Sequence, residues 1–328
     1  MEYKKIVVSG GGILGSQIAY QTAYCGFDVT VLIRDEDAQN ELMDKLKKLE
    51  ETYKETIELM DTKEGKNPAK WARGIATADK FNKTKCLKQA EEAISRITIE
   101  TNQAAALKDA DLVIESITEN FDIKEEFYKG IAPLLEEKTV VVTNSSTLLP
   151  SKLAKFTGRP EKYLSMHFAN SIWKNNIAEI MRHSGTEDKY FVEIIEFARA
   201  INMIPLAAKE EKAGYLLNSL LVPFLLSAMD LLANGISDPE TIDQAWTFGT
   251  GAPKGPFQIL DTVGLETARN IVLQYQKVPD LFDPLLKKMM LPYNYDGMLD
   301  IIDKYISEGK TGKAVGEGFY KYDKKTKE

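Results

Sequence analysis

Apolar residues in the first half of the chain fall into short runs. Lys5–Ser9, Asp28–Ile33, Ile97–Ile99, Leu112–Glu115, Thr139–Val142, Tyr163–Met166, Ile177–Met181 and Met203–Ala207 each read as a strand. Between them run helical patterns, at Ser16–Ala23, before Lys108-Asp109-Ala110-Asp111, and at Asn120–Leu135. This alternation predicts an α/β fold with a doubly wound, mostly parallel sheet. Residues 36–90 differ in character. Leu42, Leu46, Leu49, Tyr53, Ile57 and Met60 recur at helical spacing within a highly charged segment, which predicts two helices projecting from the sheet. Its lysines alternate with Glu and Asp, so a solvated face is expected; contact with an anionic tail such as that of coenzyme A is the alternative.

The pattern changes at Lys209-Glu210-Glu211-Lys212. Helices are expected over Glu211–Asn234, Pro239–Phe248, Val263–Gln276, Leu281–Met290 and Met298–Glu308, punctuated by Pro and Gly. The expected domains are therefore 1–208, with the helical insertion near 36–90, and an all-helical 209–328. The apolar stretch Tyr215–Ala233 is interrupted by Asn218, Pro223 and Asp230, which speaks against a membrane span. It reads as a helix that needs a partner, and a homodimer through the C-terminal helices is expected.

Composition narrows the function. The 328 residues carry a net charge of −7, with 44% apolar and 28% charged residues, which fits a soluble globular enzyme and not a nucleic-acid binder. Two cysteines, Cys25 and Cys86, give no disulfide framework and no metal-ligand spacing. Met1 leads into a strand with no apolar leader, so a cytoplasmic location and a small-molecule substrate are expected.

The first strand opens onto Gly10-Gly11-Gly12-Ile13-Leu14-Gly15 and then a helix. Gly10 permits the tight turn, Gly12 lets a pyrophosphate approach the backbone, and Gly15 lets helix and strand pack closely. Phosphates then meet unpaired N–H groups at the helix start. An acid at the end of the second strand would bind the ribose of NAD. Ile33 stands there instead, followed by Arg34, which suits the extra phosphate of NADP; a solvated loop charge is the other reading of Arg34. The cofactor expected is NAD(P)(H), leaning to NADP. Glu119 and Ser146 follow strands and should face the same crevice, with Lys124 one helical turn beyond Glu119.

Ser146, His167, Glu179 and Asn218 form the candidate catalytic set. His167 is one of two histidines. An imidazole can take a proton from an alcohol and return it, and a carboxylate can fix its tautomer. Beside a nicotinamide ring this pair makes an alcohol dehydrogenase or, in reverse, a ketone reductase. Ser146 has no G-x-S-x-G surround, which disfavours a hydrolase; its other reading is a helix cap near Pro150. His183, beside Arg182, reads as surface. Trp173 either lines the pocket or packs.

Seven motifs in order resemble the 3-hydroxyacyl-CoA dehydrogenase superfamily. They are the glycine segment, Ile114–Asn120, Asn144–Thr147, His167-Phe168-x-Asn170, Gly214-Tyr215-x-x-Asn218, Lys254–Phe257 and Gly316–Tyr320. Residues 16–23, 143–151, 167–173 and 249–257 resemble its bacterial diketoreductase branch. The resemblance implies a Rossmann-type domain and a helical dimerisation domain. It makes His167 the base and Glu179 its partner, has Ser146 and Asn218 orient substrate oxygens, and sets Glu119, Lys124 and Asn170 near the nicotinamide and its ribose. Two positions depart from the family pattern: Ser171 follows Asn170 where Pro is common, and Ile33 replaces the strand-end acid. The expected substrate is a 3-hydroxy or 3-keto acyl compound, as a coenzyme A thioester or a diketo ester or acid. Alternatives are a sugar-acid dehydrogenase of the L-gulonate type and a non-catalytic dinucleotide sensor.

Overall fold

A computed structural model describes residues 3–68, 70–276 and 293–322. The chain divides into two compact units, Met1–Leu216 and Leu217–Glu328.

The first unit is built on β1 (Lys5–Ser9), α1 (Ile13–Tyr24), β2 (Asp28–Leu32), α2 (Asp37–Met60), α3 (Lys83–Ala93), β3 (Ile97–Glu100), α4 (Gln103–Leu107), β4 (Leu112–Glu115), α5 (Phe121–Ile131), β5 (Val140–Thr143), α6 (Pro150–Leu153), β6 (Tyr163–Phe168), β7 (Ile177–Met181), α7 (Asp188–Ala200) and β8 (Ile204–Ala208). The strands form one sheet in the order β3-β2-β1-β4-β5-β6-β7-β8. The first six run parallel; β7 pairs antiparallel to β6, and β8 parallel to β7. Ile6, Val7, Val8 and Val140–Val142 are fully buried, as strands covered on both faces require. The direction of the chain's crossovers reverses between β1 and β4. A crevice therefore opens at the carboxyl ends of these strands, where such folds bind ligands.

The insertion does not stand clear of the sheet. Leu42, Leu46, Tyr53 and Ile57 of α2 are buried in the same core as Tyr20 and Tyr24 of α1, and Tyr20 and Tyr53 meet edge to face at 4.7 Å. Gln21 of α1 locks this layer: it accepts from Tyr53 and donates to the carbonyls of Gly74 and Ile201. An amphipathic stripe of this width needs a helix to lie on, and α1 supplies it.

The second unit contains α8 (Leu217–Ala233), α9 (Pro239–Thr250), α10 (Pro256–Val263), α11 (Leu265–Gln276) and α12 (Tyr295–Ser307) around Leu226, Met229, Phe257, Leu265, Met298 and Ile302. Helix α8 starts at Leu217, later than the apolar pattern suggests, because Gly214 and Tyr215 hold positive φ values of 80° and 50°. The helix expected from Val263 begins at Leu265, after Gly264 (φ 93°), and α10 before it was not expected. The helix expected over Leu281–Met290 lies outside the described residues. The terminal motifs are structural in this unit. Buried Asp243 accepts from the Phe257 and Gln258 amides, and buried Asp261 from those of Phe319 and Tyr320. Among the described residues, no helix is long and apolar enough to cross a membrane.

Candidate active site

The glycine turn takes the form its sequence requires. Gly10 has φ 113°, and a Cβ there would lie 2.4 Å from the Ser116 carbonyl oxygen. A Cβ on Gly15 would lie 2.1 Å from the Gly10 oxygen, whereas one on Gly12 would meet nothing within 4 Å. Gly12 is the N-cap of α1 and supplies no side-chain cap, so the first N–H groups of the helix are left for a ligand. Open space over Gly12, beside backbone donors at a positive helix end, fits the pyrophosphate of a dinucleotide.

Two adjoining cavities share this turn. One of about 830 Å³ runs from Gly10–Gly12 past Ile33, Arg34 and Lys45. The other, of about 330 Å³, is lined by Gly12, Ile13, Leu14, Gly15, Glu119, Lys124 and Ser146. Ile33 follows β2 as a buried residue whose side chain faces Gly11, so it offers no acceptor. Arg34 is 90% exposed and pairs with Asp35 at 2.7 Å. Asp35 also accepts from the Ala38 amide, so its carboxylate is already engaged.

At the other end, His167 lies within β6, directly opposite Glu179 on antiparallel β7. Cross-strand neighbours place their Cβ atoms about 5 Å apart, which brings the side chains into contact. His167 Nδ1 is 3.1 Å from Glu179 Oε2, and its Nε2 is 3.1 Å from Ser146 Oγ. Glu179 is 1% exposed and His167 8%. The second oxygen of Glu179 accepts from the Leu216 amide at 2.9 Å. With Nδ1–H donated to the carboxylate, Nε2 is left with a lone pair at the open end of the pair. Ser146 is thus a partner of the histidine, and Leu149 is the N-cap of α6.

Glu119 is fixed from several sides. It accepts from Ser145 Oγ, from the Thr147 amide and from Thr147 Oγ1, and Lys124 lies 3.5 Å away. Burial pushes its carboxyl pKa up, but these hydrogen bonds and the lysine outweigh it and hold the carboxyl below the usual glutamate range. Lys124 is itself buried and donates to Glu115.

The sequence did not single out Glu115. It ends β4 fully buried and accepts from Tyr128, Thr143 and the Ile117 amide as well as from Lys124. A carboxylate closing a buried apolar run was the one signal that could have marked it. Tyr215 was likewise missed: its ring stacks on His167.

The remaining residues singled out in the sequence have surroundings of their own. Asn170 is exposed in the turn after β6, its carbonyl accepting from Asn175. Asn218 lies in the first turn of α8, in the second unit. His183 is buried, contrary to the sequence reading. Its Nδ1 accepts from the Gly185 amide and its Nε2 lies 3.0 Å from the Pro160 carbonyl, a structural pairing of both nitrogens. Trp173 packs on Tyr53 with ring centroids 5.6 Å apart. Among the described residues, no cluster of His, Cys, Asp and Glu side chains is arranged to hold a metal ion.

The chain matches two family models: 3-hydroxyacyl-CoA dehydrogenase, NAD binding domain, over residues 5–211, and the C-terminal domain of the same family over 214–322. It is 31% identical to the mitochondrial hydroxyacyl-coenzyme A dehydrogenase of Homo sapiens, over 97% of this chain and 91% of that protein. It is 30% identical to the 3-hydroxybutyryl-CoA dehydrogenase of Clostridioides difficile, over 98% of this chain and 100% of the relative. A solved diketoreductase, described as acting on dicarbonyl compounds, is 42% identical and superposes with a TM-score of 0.81, covering 98% of this chain and all of its own.

Proposed function

This chain belongs to the 3-hydroxyacyl-CoA dehydrogenase family, and from that premise we propose that His167, oriented by Glu179, carries the proton of the reacting substrate oxygen. The protein is a nicotinamide-dependent oxidoreductase that interconverts the CH–OH group of a 3-hydroxyacyl compound and the carbonyl of its 3-keto counterpart. When bound, the nicotinamide ring supplies the hydride chemistry; the protein supplies position and proton transfer.

The observation that carries this reading is the Ser146–His167–Glu179 line, with both contacts at 3.1 Å. In oxidation, the substrate hydroxyl gives its proton to Nε2, and Glu179 stabilises the imidazolium through Nδ1–H. In reduction, the same nitrogen returns the proton to the forming alkoxide. Ser146 orients the substrate oxygen toward Nε2. The family resemblance assigns Asn218 a second hydrogen bond to the substrate, and Glu119, Lys124 and Asn170 to the nicotinamide end of the cofactor.

The cofactor reading favours NADP(H), supported by buried Ile33 and exposed Arg34 at the rim of the larger cavity. The substrate reading favours a diketo ester or acid over a coenzyme A thioester. Two observations support it: the 42% identity to the diketoreductase exceeds that to the two named thioester dehydrogenases, and insertion lysines such as Lys54 and Lys83 are paired with neighbouring carboxylates. A face so neutralised attracts a phosphate-rich tail weakly. A cytoplasmic homodimer, joined through the C-terminal helices, completes the reading.

One assay set tests it. Acetoacetyl-CoA, a diketo ester and a sugar acid are each offered with NADH and with NADPH. The expected result is highest kcat/KM for the diketo ester with NADPH. His167→Ala is expected to lose about 10²–10⁴-fold in kcat while binding nucleotide as before. Equal turnover by the variant would sink the mechanism. Preference for the thioester, for the sugar acid or for NADH would sink the corresponding part. Tight nucleotide binding with no turnover at all would make the protein a sensor.

A further inference from the structure

The Gly214-Tyr215-x-x-Asn218 motif contributes more than its asparagine. Tyr215 has φ 50°, in the left-handed region that a bulky side chain rarely occupies. Such a conformation persists only where the surroundings impose it, and it tends to gather at functional sites. Here the surroundings are the site itself. The Tyr215 ring lies parallel to the His167 imidazole, with 4.8 Å between centroids and 16° between planes. Its hydroxyl donates to the Ser145 carbonyl at 2.7 Å, one residue before Ser146. The next amide, that of Leu216, donates to Glu179 Oε1 at 2.9 Å. Two consecutive residues, Tyr215 and Leu216, thus touch the histidine ring, its carboxylate partner and the turn that presents Ser146.

Resting on the reading of His167 as the proton carrier, we propose that Tyr215 is a positioning residue whose stacked ring fixes the plane of the His167 imidazole. The physical need is specific. Strand β6 fixes the Cβ of His167, and one hydrogen bond fixes Nδ1. Rotation about the ring's last torsion is otherwise broad, since a terminal sp³–sp² torsion has no sharp staggered wells. A flat ring stacked on the imidazole removes that freedom and keeps Nε2 aimed at the substrate oxygen. Tyr215 is 1% exposed. Burial pushes its phenol pKa far above the usual value, so the hydroxyl remains a donor at any working pH.

The test uses the full-length chain. Tyr215→Phe keeps the stack and removes the hydroxyl; Tyr215→Leu removes both. The leucine variant is expected to lose about 10²-fold in kcat, with nucleotide Kd and substrate KM within about twofold of the parent. The phenylalanine variant should retain kcat within about fivefold. Proton NMR gives a second readout, because the chain has two histidines and His167→Gln assigns their signals. The His167 ring protons should sit upfield in the parent and in the phenylalanine variant, through the ring current of the stacked ring. They should return downfield in the leucine variant.

A leucine variant with parental kcat overturns the proposal, as does a phenylalanine variant that loses as much as leucine. Should the leucine variant fail to fold, unshifted His167 signals in the parent overturn it, and shifted signals with a near-parental phenylalanine variant uphold it. A parent with shifted signals but no turnover on any substrate would overturn the catalytic reading of His167 instead, and with it the role given to Tyr215.

Discussion

Glu119 illustrates what a single residue's surroundings decide. Its carboxylate accepts three hydrogen bonds and lies near Lys124, and together these overcome the cost of burial and depress its pKa. A group with a depressed folded pKa contributes stability above its unfolded pKa, about 4.3 for glutamate, and loses it as pH falls through the lower folded value. Glu119→Gln should therefore be less stable than the parent near neutral pH. The gap should narrow once pH drops below the ordinary glutamate range. Urea unfolding across that range reads it; a gap that stays constant with pH would count against the assignment. At this scale the sequence was legible where a residue type is scarce or a motif frames it, as for His167 and Ser146. It was silent on Glu115, whose partners Lys124, Tyr128 and Thr143 lie 9, 13 and 28 positions away and meet it only in the fold. His183 was misread because a neighbouring arginine suggests surface, whereas the Pro160 carbonyl and Gly185 amide fix its buried ring.

Elements were legible where one local rule governs them. The buried strands announce themselves as continuous apolar runs, and the glycine turn as a fixed spacing. The spacing separates two functions that mutation can tell apart. A methyl on Gly15 would overlap the Gly10 carbonyl, so Gly15→Ala should destabilise the first unit by forcing α1 away from β1. A methyl on Gly12 meets only open space. Gly12→Ala should therefore melt like the parent yet bind nucleotide at least about tenfold more weakly, if the pyrophosphate approaches there. Calorimetry and fluorescence titration check the two halves. Unchanged affinity in the Gly12 variant would remove the pyrophosphate from this turn. Elements were illegible where rules conflict. Gly255-Pro256 reads as a break, but Pro at the first helical position begins α10. Apolar composition runs through Tyr215 although its backbone is left-handed, so α8 was drawn too early. The antiparallel sense of β7, which sets Glu179 opposite His167, has no signature in a short apolar run.

For the whole molecule, the second unit raises the question of association. Leu220 and Leu231 on α8 are 75% and 40% exposed, and Trp246 and Phe248 on α9 are 39% and 85% exposed. Single exposed leucines are ordinary, but apolar side chains gathered on two contacting helices carry a cost in water that a partner surface removes. Phe224 and Trp246 join the two helices, their ring centroids 4.4 Å apart, and the helical spacing of Leu220, Phe224 and Leu231 puts these three on one face of α8. The homodimer proposed above would cover this face, each copy burying the other's. Sedimentation at micromolar concentration should therefore give about twice the chain mass. Leu220→Glu with Leu231→Glu should shift it to monomer, because two like charges per copy would be brought together and desolvated at the two-fold contact. Both changes lie in exposed positions, so helicity should survive, and a circular dichroism spectrum verifies that the chain is still folded. A parent that sediments as a monomer removes the dimer. A dimer that persists in the doubly charged variant moves the contact to another face of the chain.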